Sequence, residues 1–338
     1  MMSSSNRRVK EVSEVRPNSI PENILTSAEP VVLRGLVSDW PLVKAGKDSV
    51  VSAVEYVKNF YTGAPLTAYL GEVENKGRVF YNDDLTGFNF DRVRVSLTEV
   101  FEKLLENQDN PTPPTIYVGS TMVDNWLPGL RAENDLALNT RDPLVSVWIG
   151  NQSTVPAHYD FPDNIACCVL GRRRFTLFPP DQLDNLYVGP LDFTPSGQPI
   201  SLVDFSEPDF EEFPKFRQAL EKAIVVDLEP GDALFFPSMW WHHVESLDSL
   251  NILINYWWRS TPEYMGPPLD VLQHALLGLQ GLPPEQRKVW QNLFDYYVFN
   301  PGLESFEHIP EKARGILAGV DETSARKLRA MLLNKLNQ

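Results

Sequence analysis

The sequence predicts a mainly β domain, a sandwich or barrel, with helices appended to it. Between Leu144 and Trp258, short runs of β-branched and aromatic residues alternate with turn signals, and no long helical pattern lies among them. Apolar residues at helical spacing precede this region and return after Pro267. A length of 338 residues is long for one core and short for two large ones, which favours one main domain with added helices.

Local patterns predict the elements that precede the β-rich region. The first 28 residues are polar and are expected to be flexible. Short apolar runs predict strands over residues 30–33 and 116–118. Helical spacing predicts a helix over residues 51–60, and the capping box Ser96-Leu97-Thr98-Glu99 predicts the start of a second helix.

The β-rich region is predicted from short apolar runs that are separated by turns. These runs cover residues 144–149, 165–170, 174–178, 224–228, 233–236 and 252–258. Pro179-Pro180-Asp181 follows one run, and Glu229-Pro230-Gly231-Asp232 joins two others. An insertion at about 181–220 is rich in proline, phenylalanine and acidic residues. We expect this insertion to form a lid or a rim.

The chain after the β-rich region, residues 261–338, is predicted to be helical. Leu328, Leu332 and Leu336 recur every four residues with basic side chains between them. Such a face either caps the barrel or forms a homodimer contact. The predicted organisation is therefore a flexible N-terminus, a main domain over residues 29–260 and a C-terminal helical region.

Composition narrows the expected partners and compartment. The chain has 30 basic and 45 acidic residues, and the net charge of −15 disfavours nucleic-acid and anionic-membrane partners. We expect a polypeptide or small-molecule partner instead. The sequence has no secretory signal and no apolar run of membrane-spanning length. The only cysteines, Cys167 and Cys168, are neighbours that point to opposite faces of a strand, so we expect no disulfide framework and a cytoplasmic location.

Two motifs in the β-rich region carry groups that bind metals. His158-Tyr159-Asp160 places an imidazole and a carboxylate two residues apart, and alternate residues of a strand face the same side. The second motif is Trp240-Trp241-His242-His243-Val244. One of its histidines, His242 or His243, would complete a face of two histidines and one carboxylate. Such a face leaves adjacent positions open, as iron(II) needs if it is to hold a bidentate cosubstrate together with oxygen. These residues alone do not choose between His242 and His243, because neighbours point opposite ways on a strand.

The distribution of histidines supports this interpretation. A lone His-x-Asp pair is weak support, since such pairs arise by chance. This chain has five histidines, and three of them fall in the two motifs. The other two, His274 and His308, lie in the predicted helical region and are expected to be surface or packing residues.

Longer stretches of the sequence resemble a known family. They are Pro30–Gly35, Asp39–Pro41, Pro156–Asp160, Gly171–Gln182, Val203–Asp209, Phe213–Phe216 and Trp240–Leu247. Together they resemble the JmjC-type cupin-like oxygenases, in particular the branch that contains the asparaginyl hydroxylase that inhibits hypoxia-inducible factor. The resemblance runs in order over residues 29–260. It implies a double-stranded β-helix, which is the jelly roll of cupin and JmjC proteins.

The resemblance also implies roles for individual residues. His158, Asp160 and His242 correspond to the iron(II) ligands of the family. Arg173 and Tyr117 stand where family members bind the far carboxylate of 2-oxoglutarate. The arginine departs from the lysine of the asparaginyl hydroxylase, but a guanidinium also binds a carboxylate, through two hydrogen bonds.

Further positions complete the implied site. Asn164 and Asn255 fall beside the cosubstrate and the metal, and Trp257 would form a wall. Val155 departs from the family pattern, because the asparaginyl hydroxylase has a hydroxyl side chain there that helps to bind the far carboxylate. The missing hydrogen bond is worth about 1 kcal/mol.

The activity that the resemblance implies is hydroxylation of an aliphatic carbon with iron(II), 2-oxoglutarate and O2. The expected substrate is a protein or peptide side chain. The same step beside a nitrogen removes a methyl group, so an N-methyl demethylase stays open, as do a small-molecule hydroxylase and a non-catalytic cupin-like binding protein. The intact triad and Arg173 favour an enzyme, since a binding protein has no need for converging metal ligands.

Overall fold

The computed structural model describes residues 8–138, 141–195, 197–300, 302 and 305–337. The strands are β1 Lys10–Val12, β2 Val31–Leu33, β3 Leu66–Gly71, β4 Phe90–Val95, β5 Thr115–Met122, β6 Leu144–Gly150, β7 Thr154–Tyr159, β8 Asp163–Leu170, β9 Arg173–Phe178, β10 Ile224–Leu228, β11 Ala233–Phe236, β12 Trp241–Ser246 and β13 Asn251–Trp258. The α-helices are α1 Glu22–Leu25, α2 Pro41–Asp48, α3 Val50–Lys58, α4 Leu97–Glu106, α5 Val123–Trp126, α6 Phe216–Lys222, α7 Pro268–Leu279, α8 Pro284–Phe294 and α9 Glu322–Leu336. The chain divides into two compact units, Met1–Ser260 and Thr261–Gln338.

Two sheets form the larger unit. The first has the order β1-β2-β11-β8-β13-β6-β5-β3-β4, and the second has the order β10-β9-β12-β7. Their neighbouring strands are antiparallel, except that β1 runs parallel to β2. This jelly-roll arrangement confirms the predicted mainly β fold with appended helices.

The space between the two sheets is filled by apolar side chains from both. Phe175 and Val226 come from the smaller sheet, and Cys168, Leu234 and Leu253 come from the larger one. Side chains of successive strand residues point to opposite faces, so a sheet that packs on both sides is apolar along its whole length. The run of buried residues along β8 has this character.

The opposite face of the larger sheet packs against helices. Leu42 of α2, Val54 of α3 and Phe101 of α4 belong to one buried cluster with Cys167 and Ile254 of the sheet. Cys167 and Cys168 therefore lie in different clusters, on the two faces of β8, and both are free thiols. This agrees with the prediction that they do not pair.

The insertion at 181–220 packs on the outer face of the smaller sheet. Leu186, Phe205 and Phe216 form a buried cluster with Phe178 of β9 and Trp241 of β12. The insertion thus has a core of its own that covers this sheet. The insertion packs on the outer face of the strands that carry the predicted metal ligands, so it supports these strands from the side opposite the ligands.

Strand β7 lies at the edge of the smaller sheet, and two chain segments cover that edge. The amide of Val79 donates to the carbonyl of Thr154 at 3.0 Å, and the amide of Ser201 donates to the carbonyl of Ala157 at 2.7 Å. Between them lies Pro156, which has no amide hydrogen to leave unpaired and is tolerated on an edge strand. The strand that carries the first metal-binding motif is therefore held on both sides.

The flexibility of the first 28 residues stays a prediction, although their described part, residues 8–28, includes a strand and buried side chains; residues 1–7 lie outside the described residues. Strand β1 pairs with β2, and Arg34 forms ion pairs with Glu11 and Asp232 at 2.9 and 2.7 Å. Ile24 and Leu25 are buried. The local sequence is polar, but its few apolar residues find partners in distant parts of the chain.

The smaller unit, Thr261–Gln338, carries an unusual amount of exposed apolar surface. Among its described residues only Ala325 is buried. Its exposed large apolar residues are Met265, Val271, Leu272, Leu276, Leu277, Val289, Trp290, Leu293, Tyr296, Tyr297, Val298, Phe299, Ile316, Val320, Met331, Leu332, Leu333 and Leu336. Apolar patches of this kind mark surfaces that bind another molecule. None of the described helices is both long and apolar enough to cross a membrane.

Self-association through this helical unit stays a prediction. Substitution of its most exposed leucines tests it. Leu277 and Leu333 are 78% and 61% exposed, and lysine at either position would place a charge on the apolar surface. If two copies bury this surface against each other, each lysine weakens the dimer by at least about tenfold, because a buried unpaired charge is costly. Sedimentation velocity over a range of concentrations measures this. Val225→Lys, at a site on β10 that is 51% exposed, is the control; a native protein that stays monomeric throughout would refute the prediction.

Candidate metal and cosubstrate site

The three predicted metal ligands lie together at one end of the space between the sheets. His158 near the end of β7 is paired directly with His242 of β12, and Asp160 follows β7. The imidazole rings lie 4.2 Å apart between centroids, and Nε2 of His242 lies 3.6 Å from Oδ2 of Asp160. One ligand atom from each residue lies within 4.8 Å of the others. These atoms could hold one metal ion.

Backbone carbonyls fix the orientation of both imidazoles. The Nδ1–H of His158 donates to the carbonyl of Pro156 at 2.9 Å, and the Nδ1–H of His242 donates to the carbonyl of Trp240 at 3.0 Å. With Nδ1 protonated, the Nε2 lone pair of each ring is free for a metal. Burial lowers the pKa of His242 well below its ordinary value, so this ring is neutral and does not need to lose a proton first.

A backbone hydrogen bond fixes the position of Asp160. The amide of Met239 donates to the carbonyl of Asp160 at 2.9 Å, and Met239 adopts a left-handed conformation with φ 68°. A bulky residue in this region is strained and persists only where its surroundings hold it. Burial raises the pKa of the Asp160 carboxyl group. A bound divalent cation would reverse that effect, because it favours the charged carboxylate.

The structure separates the two adjacent histidines. His242 lines the cavity, whereas the ring of His243 stacks on Phe205 of the insertion, with centroids 4.3 Å apart and planes 22° apart. Burial lowers the pKa of His243 to about 3. His243 is thus a neutral ring packed on the outer face of the smaller sheet, and it is His242 that joins His158 and Asp160.

A cavity of about 290 Å³ opens from the metal ligands into the space between the sheets. The structure brings all the predicted site residues to its walls, namely Tyr117, His158, Asp160, Asn164, Arg173, His242, Asn255 and Trp257. The remaining lining residues were not predicted as part of a site: Ser120, Trp148, Pro162, Phe175, Gln198, Phe236, Val244 and Leu253. Val155, the predicted departure from the family pattern, also lines the cavity and offers no hydroxyl group.

Arg173 is a buried cation without a counterion among the described residues. It is 2% exposed, and its Nε and Nη2 atoms are buried without a hydrogen-bond partner in the described part of the chain. Burial lowers its pKa. Its neighbours Arg172 and Arg174 point outward and pair with Asp248 and Asp227 at 2.8 and 2.7 Å. An unpaired buried charge costs several kcal/mol, so this guanidinium fits an anionic ligand that would supply the missing acceptors.

Polar groups of the larger sheet complete the cavity. Nδ2 of Asn255 donates to Oδ1 of Asn164 at 2.7 Å, and Oδ1 of Asn255 is buried without a partner among the described residues. Tyr117 of β5 is buried, and this burial raises the pKa of its phenol, which therefore stays protonated. The ring of Trp257 meets that of Trp148 edge to face, with centroids 5.8 Å apart.

Comparison with known proteins identifies the family. The profile of the cupin-like domain matches residues 17–264, which is most of the chain. The chain belongs to the cupin-like domain family. This confirms the resemblance to the JmjC-type cupin-like proteins, while placement beside the asparaginyl hydroxylase stays a prediction.

Curated relatives share parts of this cupin-like chain. HSPB1-associated protein 1 of Homo sapiens is 32% identical over 151 residues, 44% of this chain and 30% of that protein. Lysine-specific demethylase 8 of Xenopus tropicalis is 26% identical over 247 residues, 70% and 49% of the two chains. The tRNA wybutosine-synthesizing protein 5 of Gallus gallus is 32% identical over 145 residues, 38% and 42% of the two chains. The match spans less than half the length of each of these relatives.

The residues of this cupin-like site fit a divalent metal and a carboxylate ligand. Two imidazoles and one carboxylate form the donor set that binds non-haem iron(II) and leaves positions open. At the other end, Arg173 lacks an acceptor. Trp148 and Gln198 were missed from the sequence because their contribution depends on strand register and on the path of the insertion. The alternation along β6 allows Trp148 to face either way until the register is known.

Matched substitutions of the two adjacent histidines test which one binds the metal. His242→Ala removes a group that lines the cavity, whereas His243→Ala removes a ring that stacks on Phe205. We expect His242→Ala to weaken anaerobic Fe(II) binding by at least about 100-fold and His243→Ala to leave it nearly unchanged. Equilibrium dialysis with metal analysis measures both, once circular dichroism shows that both variants are folded. Equal losses in the two variants would contradict the assignment.

Proposed function

We propose that this cupin-like protein is an iron(II)- and 2-oxoglutarate-dependent oxygenase that hydroxylates an aliphatic carbon of a protein or peptide side chain. The observation that carries the proposal is the set of residues that line one cavity. A metal-binding triad lies at one end of it, and the buried, unpaired guanidinium of Arg173 also lines it. A cosubstrate that chelates a metal and carries a second carboxylate would satisfy both.

His158, Asp160 and His242 would hold the iron from one side. Their common face leaves the cavity side of the metal open to other ligands. Iron bound there would supply the oxidising power for a reaction in which 2-oxoglutarate, O2 and the substrate give succinate, carbon dioxide and the hydroxylated substrate. The carbonyls of Pro156 and Trp240 keep both imidazoles oriented, so the ligand geometry is set before any cosubstrate binds.

Arg173 would bind the far carboxylate of the cosubstrate, and Tyr117, which stays protonated, would donate a hydrogen bond to it. A guanidinium presents two parallel donors that match the two oxygens of a carboxylate. The walls beside Arg173 are apolar and include Val155, Phe175 and Val244. Such walls exclude water and strengthen the charge pair.

The size of the cavity bears on the substrate. At about 290 Å³ it lies at the small end of the range for ligand sites, about 300–1,000 Å³. A five-carbon cosubstrate would leave space beside the metal for a single side chain or an equally small molecule. The net charge of −15 favours a neutral or basic polypeptide over an RNA, even though one relative is named for tRNA wybutosine synthesis.

Demethylation is a second candidate, favoured by the names of two relatives. Lysine-specific demethylase 8 is 26% identical to this chain, and lysine-specific demethylase JMJ31 of Arabidopsis thaliana is 32% identical over 127 residues. Hydroxylation of a methyl group on nitrogen gives an unstable product, which breaks down to the demethylated amine and formaldehyde. Formaldehyde release therefore separates demethylation from stable hydroxylation once a substrate is found.

Turnover of the cosubstrate tests the oxygenase proposal without knowledge of the substrate. Anaerobically iron-loaded protein is mixed with 2-oxoglutarate, air is admitted, and succinate is measured beside a His158→Ala control. We expect slow succinate formation by the native protein and none by the control, because the variant lacks one metal ligand. Binding of 2-oxoglutarate without turnover would show that turnover needs the substrate. Absence of binding would favour the non-catalytic alternative.

Substitution of Arg173 tests the cosubstrate assignment separately. Arg173→Ala should raise the KM for 2-oxoglutarate by about 10- to 150-fold, because hydrogen bonds to a charged group contribute about 1.5–3 kcal/mol. Arg173→Lys should lose less, since it keeps the charge. Arg174→Ala on the same strand, which removes an exposed ion pair with Asp227, is the matched control. An unchanged KM for Arg173→Ala would exclude this residue from the cosubstrate site.

A further inference from the structure

A line of oxidisable aromatic rings leads away from the metal-binding end of the cavity. Trp257 and Trp148 both line the cavity, and their ring centroids are 5.8 Å apart. Trp148 is followed by Tyr117 at 6.1 Å, and Tyr117 by Tyr69 at 5.9 Å. Tryptophan and tyrosine are, after cysteine, the side chains that lose one electron most easily.

Three of these rings meet above Gly119, a residue of β5 without a side chain. A Cβ atom at Gly119 would lie 3.6 Å from the ring of Trp148 and 3.7 Å from each of the rings of Tyr117 and Tyr69. The absence of a side chain lets the rings share this space. The nearest of these atoms of Trp148 and Tyr69 are therefore no farther apart than the sum of 3.6 and 3.7 Å, so an electron can pass between the two rings either directly or through Tyr117.

The inner end of the line lies where an oxidant would form. Trp257 and Trp148 share the cavity wall with the metal-binding triad. Neither of the free thiols, Cys167 and Cys168, lines this cavity, and no methionine is found among the described residues that line it. The two indoles and the phenol of Tyr117 are therefore the easily oxidised groups that line the cavity beyond the ligands themselves.

The outer end of the line is Tyr69 on β3. Its side chain is half-buried and so has access to solvent. The next ring outward belongs to Phe90, which stacks on Tyr69 with centroids 4.8 Å apart. Phenylalanine is much harder to oxidise than tyrosine, so the line of oxidisable groups ends at Tyr69.

The surroundings of each ring decide on which residue a radical would persist longest. The indole N–H of Trp148 is buried without a hydrogen-bond partner among the described residues, so this indole, once oxidised, has no acceptor for its proton and passes the charge on. The indole N–H of Trp257 faces the carboxylate of Asp160, to which it donates a hydrogen bond. Tyr117 is 4% exposed and lies beside the cation Arg173, so its phenol is shut off from bulk water. Tyr69 also has a cation near its ring, because the guanidinium of Arg92 lies 5.5 Å from the ring centroid, but Tyr69 is half-buried, so water can reach it and take its phenolic proton.

We propose that Trp257, Trp148 and Tyr69 form an electron relay that protects the metal site when oxygen is activated without a substrate. The oxidant that the proposed oxygenase would supply lies two electrons above iron(II), so the relay would pass two electrons, one at a time, from Tyr69 through Trp148 and Trp257 to the metal site, and Tyr69 would be restored after each. The phenolic proton of Tyr69 goes to water, which leaves a neutral tyrosyl radical near the surface. A thiol or ascorbate from solution then gives one hydrogen atom and restores the tyrosine. The relay rests on the proposed oxygenase function, which supplies the oxidant.

Radical detection tests the relay directly. Iron(II)-loaded protein with 2-oxoglutarate and no substrate is exposed to air, frozen at short times and examined by electron paramagnetic resonance. We expect a tyrosyl signal that is lost in Tyr69→Phe and in Trp148→Phe. Tyr61→Phe, which changes a half-buried tyrosine outside the line, should keep the signal. Peptide mass spectrometry should find more oxidised Trp257 and Trp148 in Tyr69→Phe than in the native protein.

A second arm separates failure of the relay from failure of the oxygenase proposal. Hydrogen peroxide added to the iron(II)-loaded protein without 2-oxoglutarate generates an oxidant at the metal, and metal-free protein with peroxide is the control. A Tyr69 radical in this arm, together with failure of the protein to bind 2-oxoglutarate in the first arm, would support the relay and overturn the oxygenase. Succinate without a Tyr69 radical, or a signal unchanged in Tyr69→Phe, would overturn the relay and show that these rings only pack. A protein that binds no iron would overturn both.

Discussion

The pairing of β7 with β12 is the constraint on which the site depends. His158 and His242 come from parts of the chain that are far apart in sequence, and they meet because they are directly opposite in this pair. A slip of one residue would turn one imidazole to the outer face, since the side-chain period of a strand is two. The register shifts at His243, where β7 has two residues, Pro156 and Ala157, opposite one. This bulge puts Val155 and His158 on the same face although they are three residues apart.

The buried guanidinium of Arg173 links the stability of the fold to the cavity. Apolar residues such as Phe175 and Leu253 form the walls near it, and the described residues offer its Nε and Nη2 atoms no acceptor. Burying a charge in this way costs free energy that good packing elsewhere must offset. An anion that binds only the folded protein would recover part of that cost. Val155 in the same wall offers no hydroxyl group that could share the binding of an anion with Arg173.

The sequence predicted best those elements that are bounded by local signals. The turn Glu229-Pro230-Gly231-Asp232 separates two strands that the structure places over the predicted residues. By contrast, β4 was missed because Asp91, Arg92 and Arg94 give it a polar sequence. The N-terminal strand β1 was missed because its partner β2 lies outside the local window. His158 and Asp160 were found because His-x-Asp needs only alternation, and His242 was chosen over His243 through the family resemblance. The place of Trp148, by contrast, needs the register of neighbouring strands.

The insertion ties the recognition of a substrate to the geometry of the metal ligands. Gln198 of this segment lines the cavity, and two residues later Ile200 forms a bridge with His158. Phe205 of the same segment stacks on His243, the neighbour of His242. A change in the insertion that reshapes the cavity mouth therefore acts through both ligand strands. One segment thus reaches the cavity and also supports β7 and β12, the strands that carry the histidines of the triad.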